Sequence, residues 1–137
     1  MIVIDASVIA AILGQESDGE ALAHRLERFP RGPELRYAPT ITLWEAACAV
    51  ARLHRVTRHR GLVLVERFCE LTAIAPVAPD MTITALAAEA AERYGMGGGR
   101  PGILNLGDCF SYATARHLKA KLLFKGDDFG RTDIEPA

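Results

Sequence analysis

The chain has 137 residues, half of them hydrophobic, and a formal net charge of −1. This length fits a single domain over residues 1–137, and the composition is too apolar for a disordered chain. The near-neutral charge excludes a polycation, so a surface for nucleic acid would have to be local. Three cysteines without C-x-x-C spacing argue against a disulfide framework or zinc knuckle and favour reduced thiols in a cytoplasmic protein. The N-terminal residues do not predict a secretory leader, and no apolar run approaches the ~18 residues that a membrane span requires.

Short apolar strands alternate with helices along the chain. Residues 1–4 predict a buried strand that Asp5 ends, followed by a helix over about 7–14. Ser17-Asp18-Gly19-Glu20 has the capping-box pattern and predicts the start of a second helix. The later predicted elements are a weak strand at 35–38, helices at 40–54 and 58–71, an edge strand at 73–77, helices at 80–94 and 105–118, and a strand at 121–124. This alternation predicts an α/β fold with a mainly parallel sheet.

Acidic residues stand at the ends of several predicted elements. Asp5 follows the first strand, and Asp127 and Asp128 follow the last one. Glu45 and Asp108 lie in the first turns of two predicted helices. Because ligand sites of open α/β sheets lie outside the carboxyl ends of the strands, these acids could converge on one crevice.

Each acid taken alone also has a structural explanation. Asp5 could cap the helix after it, and Asp108 could favour the dipole of its own helix. Glu45 ends the run Thr42-Leu43-Trp44-Glu45, which fits a capping box. The two acids after the last strand could be ordinary turn residues. Single positions therefore do not decide between a structural and a functional role.

The joint arrangement favours a metal site. Several carboxylates in one crevice repel each other, and their pKa values rise unless a cation lies between them. Mg²⁺ and Mn²⁺ prefer such oxygen ligands, and Mg²⁺ usually keeps several waters. A carboxylate-held Mg²⁺ with open water positions is suited to phosphodiester hydrolysis.

Four segments of the chain share their order and spacing with one protein family. They are Ile2-Val3-Ile4-Asp5-Ala6-Ser7, Thr42-Leu43-Trp44-Glu45, Asn105-Leu106-Gly107-Asp108-Cys109-Phe110-Ser111-Tyr112-Ala113, and Leu122-Leu123-Phe124-Lys125-Gly126-Asp127-Asp128-Phe129 followed by Thr132-Asp133-Ile134. The third and fourth segments are the specific ones. Through them the chain resembles the PIN-domain nucleases, and among these the VapC-type toxins of bacterial type II toxin–antitoxin pairs.

The resemblance implies a fold and an activity. The fold is PIN-like, with a parallel sheet of four or five strands between helices. The activity is endonucleolytic cleavage of RNA with Mg²⁺, or alternatively Mn²⁺, leaving a 5′-phosphate and a 3′-hydroxyl. The partners that it implies are a VapB-type antitoxin, whose tail blocks the acidic cleft, and a second copy of the chain in a homodimer or in a toxin–antitoxin hetero-oligomer.

The resemblance also assigns roles by position. Asp5, Glu45 and Asp108 match the family's acidic triad, with Asp5 and Asp108 as metal ligands. Asp127 is the first choice for a fourth catalytic acid, and the adjacent Asp128 is the alternative. In addition, Ser7 matches a small hydroxyl residue that supports the site.

Basic residues supply candidates for contacts with phosphates. Arg100 and Lys125 flank the predicted site and could touch the RNA backbone. A basic run also lies at a predicted helix junction, and its members are Arg52, His54, Arg55, Arg58, His59 and Arg60. This run could be a solvated turn, a phosphate contact, or a seat for an acidic antitoxin segment.

Other functions remain open as alternatives. The run 97–102 matches G-x-G-x-x-G, but it follows a predicted helix and contains Pro101, which argues against a dinucleotide site. A phosphatase of the haloacid-dehalogenase type would use Asp5 as a nucleophile, but it needs a second Asp where Ser7 stands. The chain could also bind RNA, or act as a corepressor, by occupancy without significant cleavage.

Overall fold

A four-stranded parallel sheet lies at the centre of the computed structural model, which describes residues 1–32, 34–96 and 102–137. The strand order is β3-β2-β1-β4, with β1 at Ile2–Ile4, β2 at Arg36–Pro39, β3 at Ala75–Val77 and β4 at Lys121–Leu123. The helices in the described part of the chain are α1 (Ala6–Leu13), α2 (Gly19–Glu27), α3 (Thr40–His54), α4 (Arg58–Thr72), α5 (Met81–Tyr94) and α6 (Leu106–Leu118), and a 3-10 turn covers Phe129–Arg131. The predicted α/β class and parallel sheet are confirmed.

The first strand lies inside the sheet because both of its faces are apolar. Val3 of β1 pairs with Tyr37 of β2 on one side and with Leu122 of β4 on the other. Ile2 and Ile4 point into a core layer formed with α1 to α4, whereas Val3 points into a layer formed with α5 and α6. Strand alternation thus divides one short apolar run between two core layers.

Local sequence signals position one strand and the beginnings of two helices. Pro76 lies in β3, which is the edge strand of the sheet, where a residue without an N–H is tolerated. Asp80 accepts a hydrogen bond of 2.9 Å from the backbone of Ile83 and caps α5. Asn105 caps α6 in the same way.

Two predicted capping boxes are wrong. The box at the start of α2 would have Ser17 as its N-cap, but the helix begins at Gly19 with Asp18 in that position, and the side chain of Asp18 makes no capping hydrogen bond. Its Oδ1 lies instead 3.1 Å from Nζ of Lys125, so an ion pair takes the place of the cap. At the start of α3, the helix begins at Thr40, and Thr42 lies inside it and donates to the carbonyl oxygen of Pro39 at 3.0 Å. The structural explanation proposed for Glu45 therefore does not hold.

A buried arginine joins β2 to the ends of two helices. The side chain of Arg36 is fully buried. It donates to the carbonyl oxygens of Leu26 at 3.0 Å and of Thr72 at 2.8 Å, near the carboxyl ends of α2 and α4. Glu27 lies 3.7 Å away and balances the charge. Arg36 therefore binds helix-terminal carbonyls that would otherwise be unsatisfied.

The thiols are unpaired, as predicted. Cys69 and Cys109 are buried and Cys48 is half-buried, and all three are free. In the described residues, no helix combines the length and the apolar character that crossing a membrane requires.

Candidate active site

The candidate site lies at the carboxyl edge of the sheet, where three elements each supply one carboxylate. Asp5 directly follows β1, and its backbone N–H bonds the carbonyl oxygen of Leu123 at the end of β4 at 2.9 Å. Since α3 begins at the residue after β2, its second turn, with Glu45, stays near the same edge. Asp108 lies in the first turn of α6.

Gly107 brings α6 against Glu45. A Cβ atom built on Gly107 would lie 2.0 Å from Oε2 of Glu45, so only a residue without a side chain leaves room for this carboxyl group. Gly107 itself is buried. The sequence therefore places α3 and α6 in direct contact at the point where each carries an acid.

Asp5 is the most firmly held of the acids. It is 4% exposed. Its Oδ2 accepts hydrogen bonds from the backbone N–H of Ser7 at 3.0 Å and from Oγ of Ser7 at 2.6 Å. Its Oδ1 accepts from Oγ of Ser111 at 2.6 Å. Asp5 thus caps α1, as one sequence alternative predicted, and at the same time faces the other acids.

Asp108 is fixed by a reciprocal cap at the start of α6. Its Oδ2 accepts from the backbone N–H of Asn105 at 2.9 Å, and its own N–H donates to Oδ1 of Asn105 at 2.9 Å. The pKa of Asp108 is raised to about 6, mainly by burial and further by the negative charges of Asp5 and Asp128. The hydrogen bond from the backbone of Asn105 lowers this pKa and offsets part of the rise. A carboxyl group with this pKa gains and loses a proton close to neutral pH.

Glu45 has the most perturbed carboxyl group of the three. Burial, followed by the negative charges of Asp5 and Asp108, raises its pKa from 4.5 to about 7. The repulsion that the sequence predicted for converging acids is therefore present among Asp5, Glu45 and Asp108. Across residues 1–32, 34–96 and 102–137, no three His, Cys, Asp or Glu side chains are arranged as a complete metal site.

The two acids after β4 differ in their relation to the site. Gly126 has φ of +86°, which turns the chain after the strand. Asp127 and Asp128 follow it, and both are exposed. Asp128 is the one of the two whose negative charge raises the pKa of Asp108. This observation favours the second choice for the fourth acid over the first.

Known proteins resemble this chain in sequence over almost its whole length. A family model described as the PIN domain matches residues 2–135. The chain belongs to the PIN-domain family. Ribonuclease VapC42 of Mycobacterium tuberculosis is 39% identical over 135 residues, which cover 98% of each chain. A VapC ribonuclease of Rhizobium meliloti is 35% identical over 142 aligned positions, covering 96% of this chain and 97% of the relative.

Solved structures show the same fold at low sequence identity. A crystal structure of Mycobacterium tuberculosis VapC20, described as a sarcin–ricin loop cleaving toxin, has a TM-score of 0.75 at 16% identity and covers 100% of this chain and 98% of that one. A toxin–antitoxin complex from Klebsiella pneumoniae has a TM-score of 0.68 at 17% identity, with coverage of 97% and 93%. The PIN fold predicted for this chain is confirmed.

Lys125 and Arg100 of this PIN domain were predicted to contact the RNA backbone. Nζ of Lys125 forms ion pairs with Glu16 and with Asp18, and these contacts raise its pKa. The backbone N–H of Lys125 donates to Oγ of Ser7 at 3.1 Å, which ties the segment after β4 to the site. Arg100 and the rest of the run 97–101 lie outside the described residues.

One buried hydroxyl of the PIN domain had no role assigned from the sequence. Ser111 is fully buried and hydrogen-bonds Asp5 across more than 100 residues of chain. Ser111 lies three residues after Asp108 and therefore on the same face of α6, and this spacing could have indicated a place at the site. The neighbouring Tyr112 donates to Oδ1 of Asp133 at 2.6 Å and is 4% exposed, so it packs against the C-terminal segment.

A separate cavity of about 710 Å³ lies between α3, α4 and β3, away from the acids. Its lining includes Leu43, Trp44, Leu62 and Val65, and none of the site carboxylates contributes to it. Trp44 is 51% exposed and is therefore not a core residue, although it neighbours Glu45 in sequence.

Proposed function

We propose that this PIN domain, residues 1–137, is a Mg²⁺-dependent endoribonuclease and the toxin of a type II toxin–antitoxin pair, acting in the cytoplasm. Mn²⁺ is an alternative ion. The observation that carries the proposal is the convergence of Asp5, Glu45 and Asp108 from three elements: the charges of Asp5 and Asp108 disfavour ionisation of Glu45, and the charge of Asp5 also disfavours ionisation of Asp108. Such a cluster is stabilised by a divalent cation.

The residues present fit a magnesium ion. The donor set is made of carboxylate oxygens, which suit Mg²⁺ and Mn²⁺. Magnesium commonly binds proteins through one or two carboxylates and keeps several waters, so a complete three-ligand cage is not required. We propose Asp5 and Asp108 as the ligands, because hydrogen bonds already orient both carboxylates.

Each residue then has a distinct task. Bound Mg²⁺ would polarise the scissile phosphate and lower the pKa of a coordinated water. The bonds from Ser7 and Ser111 hold Asp5 in one orientation, so no reorganisation is needed on binding. Glu45 lies beside both proposed ligands, whose charges act on its carboxyl group, and is placed to orient the attacking water and accept its proton. Asp128 is our choice for the fourth acid, with Asp127 as the alternative.

The relatives support RNA as the substrate class and a protein as the inhibitor. Curated relatives that match almost the whole chain are named ribonucleases. One structural neighbour is a toxin–antitoxin complex. We therefore propose a VapB-type antitoxin as the partner, with assembly as a homodimer or a toxin–antitoxin hetero-oligomer. The particular RNA cleaved by VapC20 is not carried over, because 16% identity supports the fold alone.

A cleavage assay with purified chain, free of antitoxin, tests the proposal. Total structured RNA is incubated with Mg²⁺, with Mn²⁺ or with EDTA, and the fragment ends are mapped. The variants are Asp5→Asn and Asp108→Asn, and exposed Glu92→Gln on α5 is the matched carboxyl-to-amide control. We expect metal-dependent cuts with 5′-phosphates that both site variants lose and the control keeps.

Other results would contradict the proposal in recognisable ways. Cuts that persist in EDTA, or in both site variants, would point to a contaminating nuclease. RNA binding and growth arrest that survive Asp108→Asn would instead support toxicity by occupancy. The melting temperature provides a second measurement, since a ligand of the native state stabilises it. Millimolar Mg²⁺ should raise the melting temperature of the parent chain, and Asp5→Ala should remove most of that gain.

A further inference from the structure

The turn between α3 and α4 carries an arginine cluster, defined as Arg52, Arg55, Arg58 and Arg60. All four side chains are exposed, as are the neighbouring His54 and His59. The sequence contains no acidic residue between Glu45 and Glu66. In a chain with a net charge of −1, this cluster is therefore a local concentration of positive charge.

The cluster is not neutralised within the fold. Other surface arginines, such as Arg67 and Arg93, lie within 4 Å of a carboxylate of the chain. In the part of the chain that the structure describes, none of the four cluster arginines has such an ion pair. Like charges placed together without partners are a cost to the folded protein, and a polyanion would remove that cost.

Three members of the cluster, Arg52, Arg55 and Arg58, line a concave surface. Arg55 adopts a left-handed conformation with φ of +53°, which ends α3 and lets the chain turn into α4. Gly61 packs so closely that an added Cβ would lie 2.3 Å from the carbonyl oxygen of Ala47 on α3. The close packing of α4 on α3 leaves an open cleft of about 430 Å³, whose lining includes Arg52, Arg58 and Cys48.

The cleft and the candidate active site lie along one face of α3. Glu45 and Arg52 are seven residues apart, which is about two helical turns or roughly 10 Å along the axis, on the same face. Cys48, one turn from Glu45, lines the cleft. A strand lying over the acids and following this face of α3 would therefore reach the arginines.

We propose that the arginine cluster binds the RNA backbone a few nucleotides from the cleaved bond. This inference rests on the proposed nuclease function and extends it. Guanidinium groups suit phosphate oxygens, and contacts of this kind position a nucleic acid without reading its sequence. RNA is favoured over an acidic protein segment because one face of α3 connects the cluster with the carboxylates. Without a cation the acidic site repels phosphates, so RNA binding in EDTA needs a neighbouring basic surface such as this one.

Direct RNA binding tests the proposal independently of cleavage. The full chain is titrated in EDTA against a short fluorescein-labelled RNA hairpin, and anisotropy is followed over a KCl series. The test variant is Arg52→Gln/Arg58→Gln. The matched control, Arg28→Gln/Lys119→Gln, makes the same change in net charge at exposed positions on other elements. Circular dichroism verifies that each variant is folded, and Arg52→Lys/Arg58→Lys keeps the charge.

The test variant should bind on the order of tenfold more weakly, and the slope of log affinity against log salt should fall by about 2. The control should bind like the parent chain, and the lysine variant should keep most of the affinity. In the Mg²⁺ cleavage assay, KM should rise while kcat stays unchanged.

Equal losses in the test and control variants, or no loss in either, would overturn the proposal. Unchanged RNA affinity with weaker binding of poly-glutamate would assign the cluster to an acidic protein segment instead. If the parent chain binds RNA through the cluster but never cleaves it, the nuclease function fails and the RNA contact stands.

Discussion

Ser111 donates a hydrogen bond of 2.6 Å to Oδ1 of Asp5, joining the first turns of α6 to the end of β1. Both side chains are buried, Ser111 completely. Two hydroxyl groups, those of Ser7 and Ser111, therefore fix the two carboxylate oxygens of Asp5 from opposite ends of the chain. Asp5 is oriented before any cation or substrate arrives.

Ser111→Ala should reduce kcat by about 10- to 100-fold, because a carboxylate with one free oxygen can rotate. It should also lower the free energy of unfolding by about 1–3 kcal/mol, since a buried acceptor loses its donor. Thr114→Val is the control, because Thr114 is equally buried on α6 and its Oγ1 has no hydrogen-bond partner among the described residues. If both variants behave alike in urea unfolding and in kinetics, Ser111 does not position Asp5.

Gly107→Ala should lower activity without unfolding the protein. The added methyl group would meet the carboxyl end of Glu45, which can swing aside, so the fold should survive. The displaced Glu45 should cost about tenfold or more in kcat, because general-base contributions depend on position. Gly130→Ala is the control, since a Cβ there meets nothing within 4 Å. Full activity of Gly107→Ala would show that the exact position of Glu45 is unimportant.

Stability should depend on pH through the raised pKa values of the site. In EDTA, the folded protein keeps a proton on Glu45 up to about pH 7, whereas the unfolded chain releases it near 4.5. Between these values the folded state binds more protons, so its stability falls as pH rises. Asp108 contributes in the same direction between 3.8 and about 6.

The measurement is the melting temperature from about pH 5 to about pH 8 in EDTA. Glu45→Gln should flatten the decline, and Mg²⁺ at the upper end should restore a few degrees. Glu92→Gln, at an exposed position on α5, should leave the profile unchanged. A decline that is identical in the Glu45 variant and the parent chain would mean that Glu45 is not held near the other acids.

The paired variants Asp127→Asn and Asp128→Asn should differ in activity. Both residues are exposed, but only the charge of Asp128 is among the causes that raise the pKa of Asp108. Asp128→Asn should therefore lower kcat/KM by about tenfold or more, whereas Asp127→Asn should have a smaller effect. The reverse order in a steady-state cleavage assay would restore Asp127 as the fourth acid.

Arg36→Met should destabilise the fold by about 3 kcal/mol or more, because it leaves buried helix-terminal carbonyls of α2 and α4 without donors. The midpoint of urea unfolding measures the change. Arg28→Met, at an exposed position after α2, should shift the midpoint little. A small effect of Arg36→Met would indicate that water replaces the guanidinium group.

Sequence patterns with a local cause predicted much of this fold. Pro76 restricts its strand to an edge because it lacks an N–H, and Asp80 and Asn105 start their helices with hydrogen bonds that span three residues. The doubly buried β1 follows from an uninterrupted apolar run. The positions of the acids at the ends of predicted elements also predicted that they converge at one edge of the sheet.

Only the tertiary structure decided the contacts between distant residues. The Ser111 hydroxyl reaches Asp5, and Glu45 rests against Gly107, because packing of α3 and α6 on the sheet brings together side chains that no local pattern relates. Lys125, predicted to face RNA, forms ion pairs with Glu16 and Asp18 because the turn after α1 lies within its reach. The sequence by itself determined which functional groups the side chains carry, because these groups belong to the covalent structure of each residue. The pKa of each carboxyl group depends on burial and neighbouring charge, and the folded arrangement alone determines both.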